Sequence, residues 1–248
     1  MLRFNNKLMK LNGHIAGEVI IPPEPPVPSV LTDMDFIYLA NDFDGSQIPN
    51  KATGTNAFGP YLEEGTITKN GSGSNCYLSN GFGNNRLYIN LTQDQLYKMY
   101  PNNDGDTYTF FLRAYQDTSR YTSGIITWRT SGYRYMIRCN SGQLQLHTSS
   151  GYNLGSNFLL TSDKVYKVVA NNSGGNHTIY AVNLMTGDVS NSYTYSPNMD
   201  TKMSSFTGYN SGAGESETDA IYGIAGIPRA TTAEEDEIIK TVLMNQSL

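Results

Sequence analysis

From residue 33 onward the chain alternates short apolar runs with clusters of Gly, Asn, Ser and Asp. FIYLA (36–40), NCYLS (75–79), RLYINL (86–91), TYTFFLRAY (107–115) and GIITWR (124–129) come first. RYMIR (134–138), QLQLHT (143–148), KVYKVVA (164–170), HTIYAVNL (177–184) and AIYGIAGI (220–227) continue the series. Each run has the length of one strand, and turns such as NNDGD, NSG and MTGD separate them, so the pattern predicts an antiparallel sandwich or barrel. Alternation is cleanest in QLQLHT, where Leu144 and Leu146 are expected to face inward and Gln143, Gln145 and His147 outward.

The period changes at the end of the chain. Thr232 followed by Glu235 is a capping box, and Glu234 to Glu237 place negative charge at the positive end of a helix dipole. Ile238, Ile239, Val242 and Leu243 fall on one stripe, so a short amphipathic helix should pack on the sheets.

The beginning of the chain differs again. Residues 1–21 are too few to bury a core of their own, and PPEPPVP at 22–28 favours a stiff polyproline II spacer. The expected organisation is an N-terminal attachment segment at 1–21, a Pro-rich linker at 22–32 and one sandwich at 33–248. The first 21 residues break their apolar positions with Asn, Lys and Gly, unlike a secretion signal, and no run approaches the roughly 20 apolar residues of a membrane span.

Composition supports the all-β reading. The chain holds 24 Gly and 18 Tyr with 16% charged residues, a balance that suits strands and turns better than long solvated helices. A formal charge of −5 without a Lys/Arg cluster argues against nucleic-acid binding. Cys76 and Cys139 have no metal or redox spacing and are read as two buried free thiols. The triplets beginning at Asn90 and Asn176 match a glycosylation pattern, but chance produces such triplets in a chain this rich in Asn, Ser and Thr.

Taken in order, several segments resemble the concanavalin A-like lectin/glucanase superfamily, specifically its laminin-G-like and pentraxin-like members. DFDGSQIPNKATGTN (42–56) is similar to the turn that opens those domains, with Asn50 where an Asp is usual. DTYTFFLRAY, SGIITWRTSGYRYMIRCNSGQLQLHTS, VYKVVANNSGGNHTIYAVNLMTG and AIYGIAGIPRATTAEEDEI follow in the family's order across 36–245. The resemblance implies a jelly-roll sandwich whose last core strand is AIYGIAGI, followed by a terminal helix.

Glu215, Glu217 and Asp219 are the candidate catalytic carboxylates, because alternate strand residues stand roughly 6.5 to 7 Å apart on one face. Laminarinase relatives place apolar spacers between such carboxylates and add Trp platforms. Here the spacers Ser216 and Thr218 are polar, SGAG precedes them, and the chain has a single Trp. No catalytic residue is therefore assigned. No nucleophile elbow, phosphate loop or dinucleotide fingerprint occurs, and His14, His147 and His177 lack ligand spacing, so no cofactor is expected.

Two turns offer oxygens to a hard cation. Asp42 and Asp44 in NDFDG, with Asp104 and Asp106 in PNNDGD, are the candidate calcium ligands, although Asp-Gly turns also serve ordinary hairpins. Tyr133, Tyr135 and Tyr152 lie beside turns and are the candidate ligand-binding residues, since tyrosine brings a stacking face and a hydroxyl.

The expected function is that of a non-catalytic virion component of bacteriophage type, made in the host cytoplasm. A capsid decoration, a head fibre or a tail-associated receptor-binding protein would each fit. Residues 1–21 would dock on other virion proteins, and the sandwich would bind host-surface glycans, with a homo-oligomer multiplying weak affinity. A bacterial surface lectin is the alternative, and a glycoside hydrolase ranks below it.

Overall fold

The structure, a computed structural model, describes residues 9–11, 14–16, 28–79, 86–99, 101, 103–118, 123–129, 134–147, 151–194 and 220–248. Strands β1 (Met9–Leu11) and β2 (His14–Ala16) pair with each other as an antiparallel hairpin. Helix α1 (Ser29–Asp33) buries Val30 and Leu31. These two residues fall in the stretch read from sequence as linker, and they pack into the sandwich.

One large sheet runs β16 (Tyr193–Thr194), β15 (Asn176–Asn183), β14 (Tyr166–Ser173), β9 (Thr107–Tyr115) and β17 (Ala220–Ile227). On the far side of β17, β3 (Phe36–Leu39) pairs with its second half and β7 (Tyr77–Ser79) with its first, and β6 (Thr68–Asn70) forms the edge. A second sheet holds β10 (Ser123–Arg129), β11 (Arg134–Asn140), β12 (Gln143–His147) and β13 (Gly151–Asn153). A third holds β4 (Gln47–Ile48), β5 (Tyr61–Glu64) and β8 (Arg86–Tyr88). The pairings described within these sheets are antiparallel, so the fold is an all-β sandwich. Two helices complete it, α2 (Gln93–Lys98) and α3 (Ala233–Asn245).

Side-chain alternation along β9 shows why the large sheet has two covered faces. Tyr108, Phe110, Leu112 and Ala114 point toward the two smaller sheets and share a core with Ile126, Ile137 and Leu146 and with Ile48 and Tyr61. Phe111 points the other way, where Ile37, Leu39, Ala225 and Ile227 meet Val30 and Leu31 of α1 and Ile239, Val242 and Leu243 of α3. Covering both faces explains why TYTFFLRAY and AIYGIAGI are almost continuously apolar.

Glycines in β17 set how closely these layers approach. A Cβ at Gly226 would lie 2.3 Å from Phe36 Cε1, and one at Gly223 would lie 2.9 Å from Leu243 Cδ2. The terminal helix starts as the sequence predicts, with a reciprocal capping box between Thr232 and Glu235. Cys76 and Cys139 are buried free thiols. Gln145 departs from the outward alternation expected of it. It is 3% exposed and accepts a hydrogen bond from Arg138 Nε, the residue that pairs with it directly on β11.

Candidate functional site

Strand direction places several loops at one end of the large sheet. Antiparallel pairing of Gly226 with Phe36 and of Ile227 with Thr109 brings together the start of β3, the start of β9 and the end of β17. The hairpin between β14 and β15 joins them, because Asn171 pairs with Thr107. An open cleft of about 940 Å³ lies at this end. Residues 32–35, 54–56, 103, 105–107 and 228–230 line it, together with Asp94 and Lys98 of α2.

Asp35 is the buried polar group of this cleft, only 1% exposed, and its Oδ2 accepts a 2.9 Å hydrogen bond from the Tyr108 hydroxyl. Burial pushes its carboxyl up to about 6, although the Tyr108 hydrogen bond and the Lys98 charge both favour the ionised form. A charged group held at such a cost inside a cleft is a mark of a functional site. Asp35 titrates higher in the folded chain than in the unfolded one, so its contribution to stability is greatest below pH 4 and falls as pH rises toward 6. The Asp35→Asn variant should gain on the parent between pH 4 and pH 7 by roughly 2 to 3 kcal/mol, each tenfold difference in proton affinity between the folded and unfolded chains being worth about 1.4 kcal/mol. Urea unfolding at the two pH values measures this, and parallel curves for the two proteins would contradict it.

The walls of the cleft are fastened from outside. Arg229 donates from Nη2 to Asp33 Oδ2 at 2.7 Å and from both terminal nitrogens to Glu235 at 2.7 and 3.0 Å. This fork ties α1 to the first turn of α3, and it holds the Glu235 carboxyl down at about 2. On the other side, Gly105 N–H donates to Asn172 O at 2.9 Å and Asn172 N–H to Asp106 O at 3.0 Å, so the 103–106 turn is fixed to the β14–β15 hairpin. A Cβ at Gly54 would lie 2.3 Å from Thr32 O, which brings the 54–56 loop against α1.

Arg229 is thus matched by its own carboxylates, and Asp35, Asp94 and Asp106 line the cleft together with the single further cation Lys98. Thr32, Thr55, Asn56, Asn103 and Thr107 add hydroxyls and amides. Such a lining repels anions and suits a neutral ligand rich in hydroxyl groups, for which carboxylates are strong acceptors.

The four candidate calcium ligands occupy two separate turns. Asp42 forms a 3.2 Å ion pair with Lys51. Asp44 Oδ1 accepts from Ser46 N, Ser46 Oγ and Gln47 N, each at 2.9 Å, and the Gln47 and Ser46 N–H groups hold its carboxyl below the usual range. Asp104 Oδ1 accepts from Gly174 N at 2.5 Å, and Asp106 Oδ2 from Asn103 N and Nδ2 at 2.9 and 3.0 Å. Asp44 and Asp106 shape their own turns, Asp104 ties its turn to the β14–β15 hairpin, and among the described residues no three of His, Cys, Asp and Glu gather as a metal site would need. Asp106 alone of the four lines the cleft.

Tyr135 and Tyr152 are placed by their backbone on β11 and β13, while Tyr133 lies outside the described residues. Glu215, Glu217 and Asp219 also lie outside them. Sequence reasoning missed Asp35, Lys98 and Arg229. The signal available for Arg229 was its position three residues before the Thr232 cap.

No protein-family model matches the chain, and no curated protein matches it. Solved structures do. A receptor-binding domain aligns with a TM-score of 0.55 at 12% identity, covering 87% of this chain and 52% of its own. A structure of botulinum neurotoxin type C, a toxin that interacts with two ganglioside molecules, aligns with a TM-score of 0.50 at 13% identity, again over 87% and 52%. Domain 4 of a GH43 extracellular arabinanase from Geobacillus stearothermophilus, in complex with arabinotriose, aligns with a TM-score of 0.51 at 13% identity, over 87% of this chain and 98% of that one. The likeness is one of fold. This chain spans about half the length of the receptor-binding chains and nearly all of the arabinanase domain. No helix among the described residues is long and apolar enough to cross a membrane.

Proposed function

We propose that this protein is a non-catalytic carbohydrate-binding module that serves as an adhesion component of a virion. The observation that carries the binding part is the polar, net-acidic cleft at one end of a sandwich whose fold is shared with an arabinotriose-bound domain. Its hydroxyl, amide and carboxylate groups suit the hydroxyls of a neutral oligosaccharide. Hydrolysis is not proposed, because a general acid must reach the glycosidic oxygen and Asp35 is 1% exposed and bonded to Tyr108. The virion part draws on the N-terminal layout, in which residues 1–21 precede a Pro-rich spacer as an attachment segment would.

A glycan-array screen of the full chain tests the binding part. The expected result is saturable binding to neutral glycans that weakens at least fivefold in Asp94→Ala, which removes an exposed acceptor from the cleft. A folded chain that binds no glycan would refute the reading. For the virion part, removing residues 1–28 should abolish docking on particles while leaving the sandwich folded, and retained docking would refute the tether.

A further inference from the structure

Helix α3 covers only part of the outer face of the large sheet. Beyond its C-terminal end the outward positions of three strands carry tyrosines: Tyr115 at the end of β9, Tyr222 near the start of β17 and Tyr77 at the start of β7. Register brings them together, since Ala220 pairs with Tyr115 and Ile221 pairs with both Ala114 and Leu78. The rings of Tyr77 and Tyr222 lie 5.6 Å apart with their planes tilted by 46°. Tyr115 is 37% exposed, Tyr77 is half-buried and Tyr222 is buried. Behind them the Arg113 guanidinium sits 4.3 Å from the centre of the Tyr222 ring.

We propose that this tyrosine patch is a second saccharide site, in which Tyr115 stacks on the C–H face of a sugar ring and Tyr77 and Tyr222 border it. A phenol ring presents a negative face to the weakly positive C–H groups of a pyranose or furanose, and its hydroxyl meets the sugar's own. Arg113 fixes the Tyr222 ring before any ligand arrives, so little side-chain freedom is lost on binding. Among the described residues the patch offers three phenol rings and no aliphatic anchor, far short of the roughly 800 Å² per partner that a stable protein interface buries.

Position adds a second argument. Thr107 lines the cleft and Tyr115 lies in the patch, at opposite ends of β9, so the two sites are about 26 Å apart at roughly 3.3 Å per residue. Helix α1, through which the chain enters the sandwich, ends at the cleft, where Thr32 and Asp33 line the wall. The tyrosine patch is therefore at the end of the large sheet away from α1, so a module tethered through α1 would present it outward. The inference rests on the carbohydrate-binding reading but does not require the cleft to be the site used.

The test is titration of the full chain with arabinotriose, cellotriose and lactose, followed by calorimetry and saturation-transfer NMR, for the parent and for Tyr115→Ala, Tyr115→Trp and Asp94→Ala. Tyr115→Ala should weaken one of these sugars roughly tenfold, the scale of one aromatic contact, while Tyr115→Trp retains it. Tyr115 is exposed, so melting curves of both variants should match the parent and keep the comparison clean. Parent-like binding by Tyr115→Ala, with Asp94→Ala impaired, would overturn the patch and leave the cleft standing. Binding lost in Tyr115→Ala but intact in Asp94→Ala would uphold the patch and overturn the cleft. No binding of any of the three sugars by the parent would overturn both.

Discussion

Replacing Arg113 with Met will destabilise the protein by about 4 kcal/mol, the scale for withdrawing a buried charged donor from several carbonyls at once. Arg113 is 4% exposed, and its partners are main-chain carbonyls. Nε donates to Ser162 O at 2.7 Å, and Nη1 donates to Ser74 O at 2.8 Å, to Met244 O at 3.0 Å and to Leu243 O at 3.2 Å. Two of these carbonyls end α3, where the helix dipole is negative and its last C=O groups lack partners within the helix. Methionine fills most of the volume but takes the donor from the Ser162, Ser74 and Met244 carbonyls, while Leu243 O keeps its bond from Gln246 Nε2 at 3.2 Å. Lysine will recover less than half of the loss, because one ammonium cannot reproduce a planar fork that reaches three segments. Urea unfolding followed by circular dichroism measures the effect, and a loss below about 1 kcal/mol would show that solvent reaches these carbonyls.

Asn50→Asp, a change of one atom, is expected to cost a similar amount at pH 7. Asn50 Nδ2 donates to Asp35 O and Phe58 O, both at 2.9 Å, while Oδ1 accepts from Ile37 N at 2.9 Å and Ala52 N at 3.0 Å. The amide thus closes the segment that leads into β3, next to the cleft. A carboxylate there keeps the two accepted bonds but sets a charged oxygen against two carbonyl oxygens, a loss on the order of 4 kcal/mol. Protonation restores one donor. The introduced carboxyl will therefore titrate higher in the folded chain than in the unfolded one, and the variant will recover stability as pH falls from 7 toward 4. Equal stability of variant and parent at pH 7 would mean that the two carbonyls turn away from the side chain.

The long strands were legible because both faces of the large sheet are covered, which leaves uninterrupted apolar runs such as AIYGIAGI. Helix α3 was legible because a capping box and an apolar stripe are local signals. Strand β5 was not, since YLEE is short and half polar, and its pairing partners β4 and β8 lie on either side of it in the chain. Alternation misplaced Gln145 because it cannot register the Arg138 side chain that stands opposite it on β11. The cleft was least legible of all. Asp35 is a lone acid ahead of a strand, and the tyrosine that marks it out lies 73 residues further on. Likewise Tyr77, Tyr115 and Tyr222 have no common spacing, and only the register of β7, β9 and β17 makes them neighbours.

Strand β3 is among the first parts of the sandwich to be synthesised, and its partner β17 is among the last. The middle of the large sheet therefore cannot be completed while most of the chain is still on the ribosome, and β3 must wait with its apolar residues unpaired. Such long-range closure makes folding slow and exposes the nascent chain to aggregation. A chain cut before residue 220 lacks β17 and so leaves β3 and β9 without the strand that joins them.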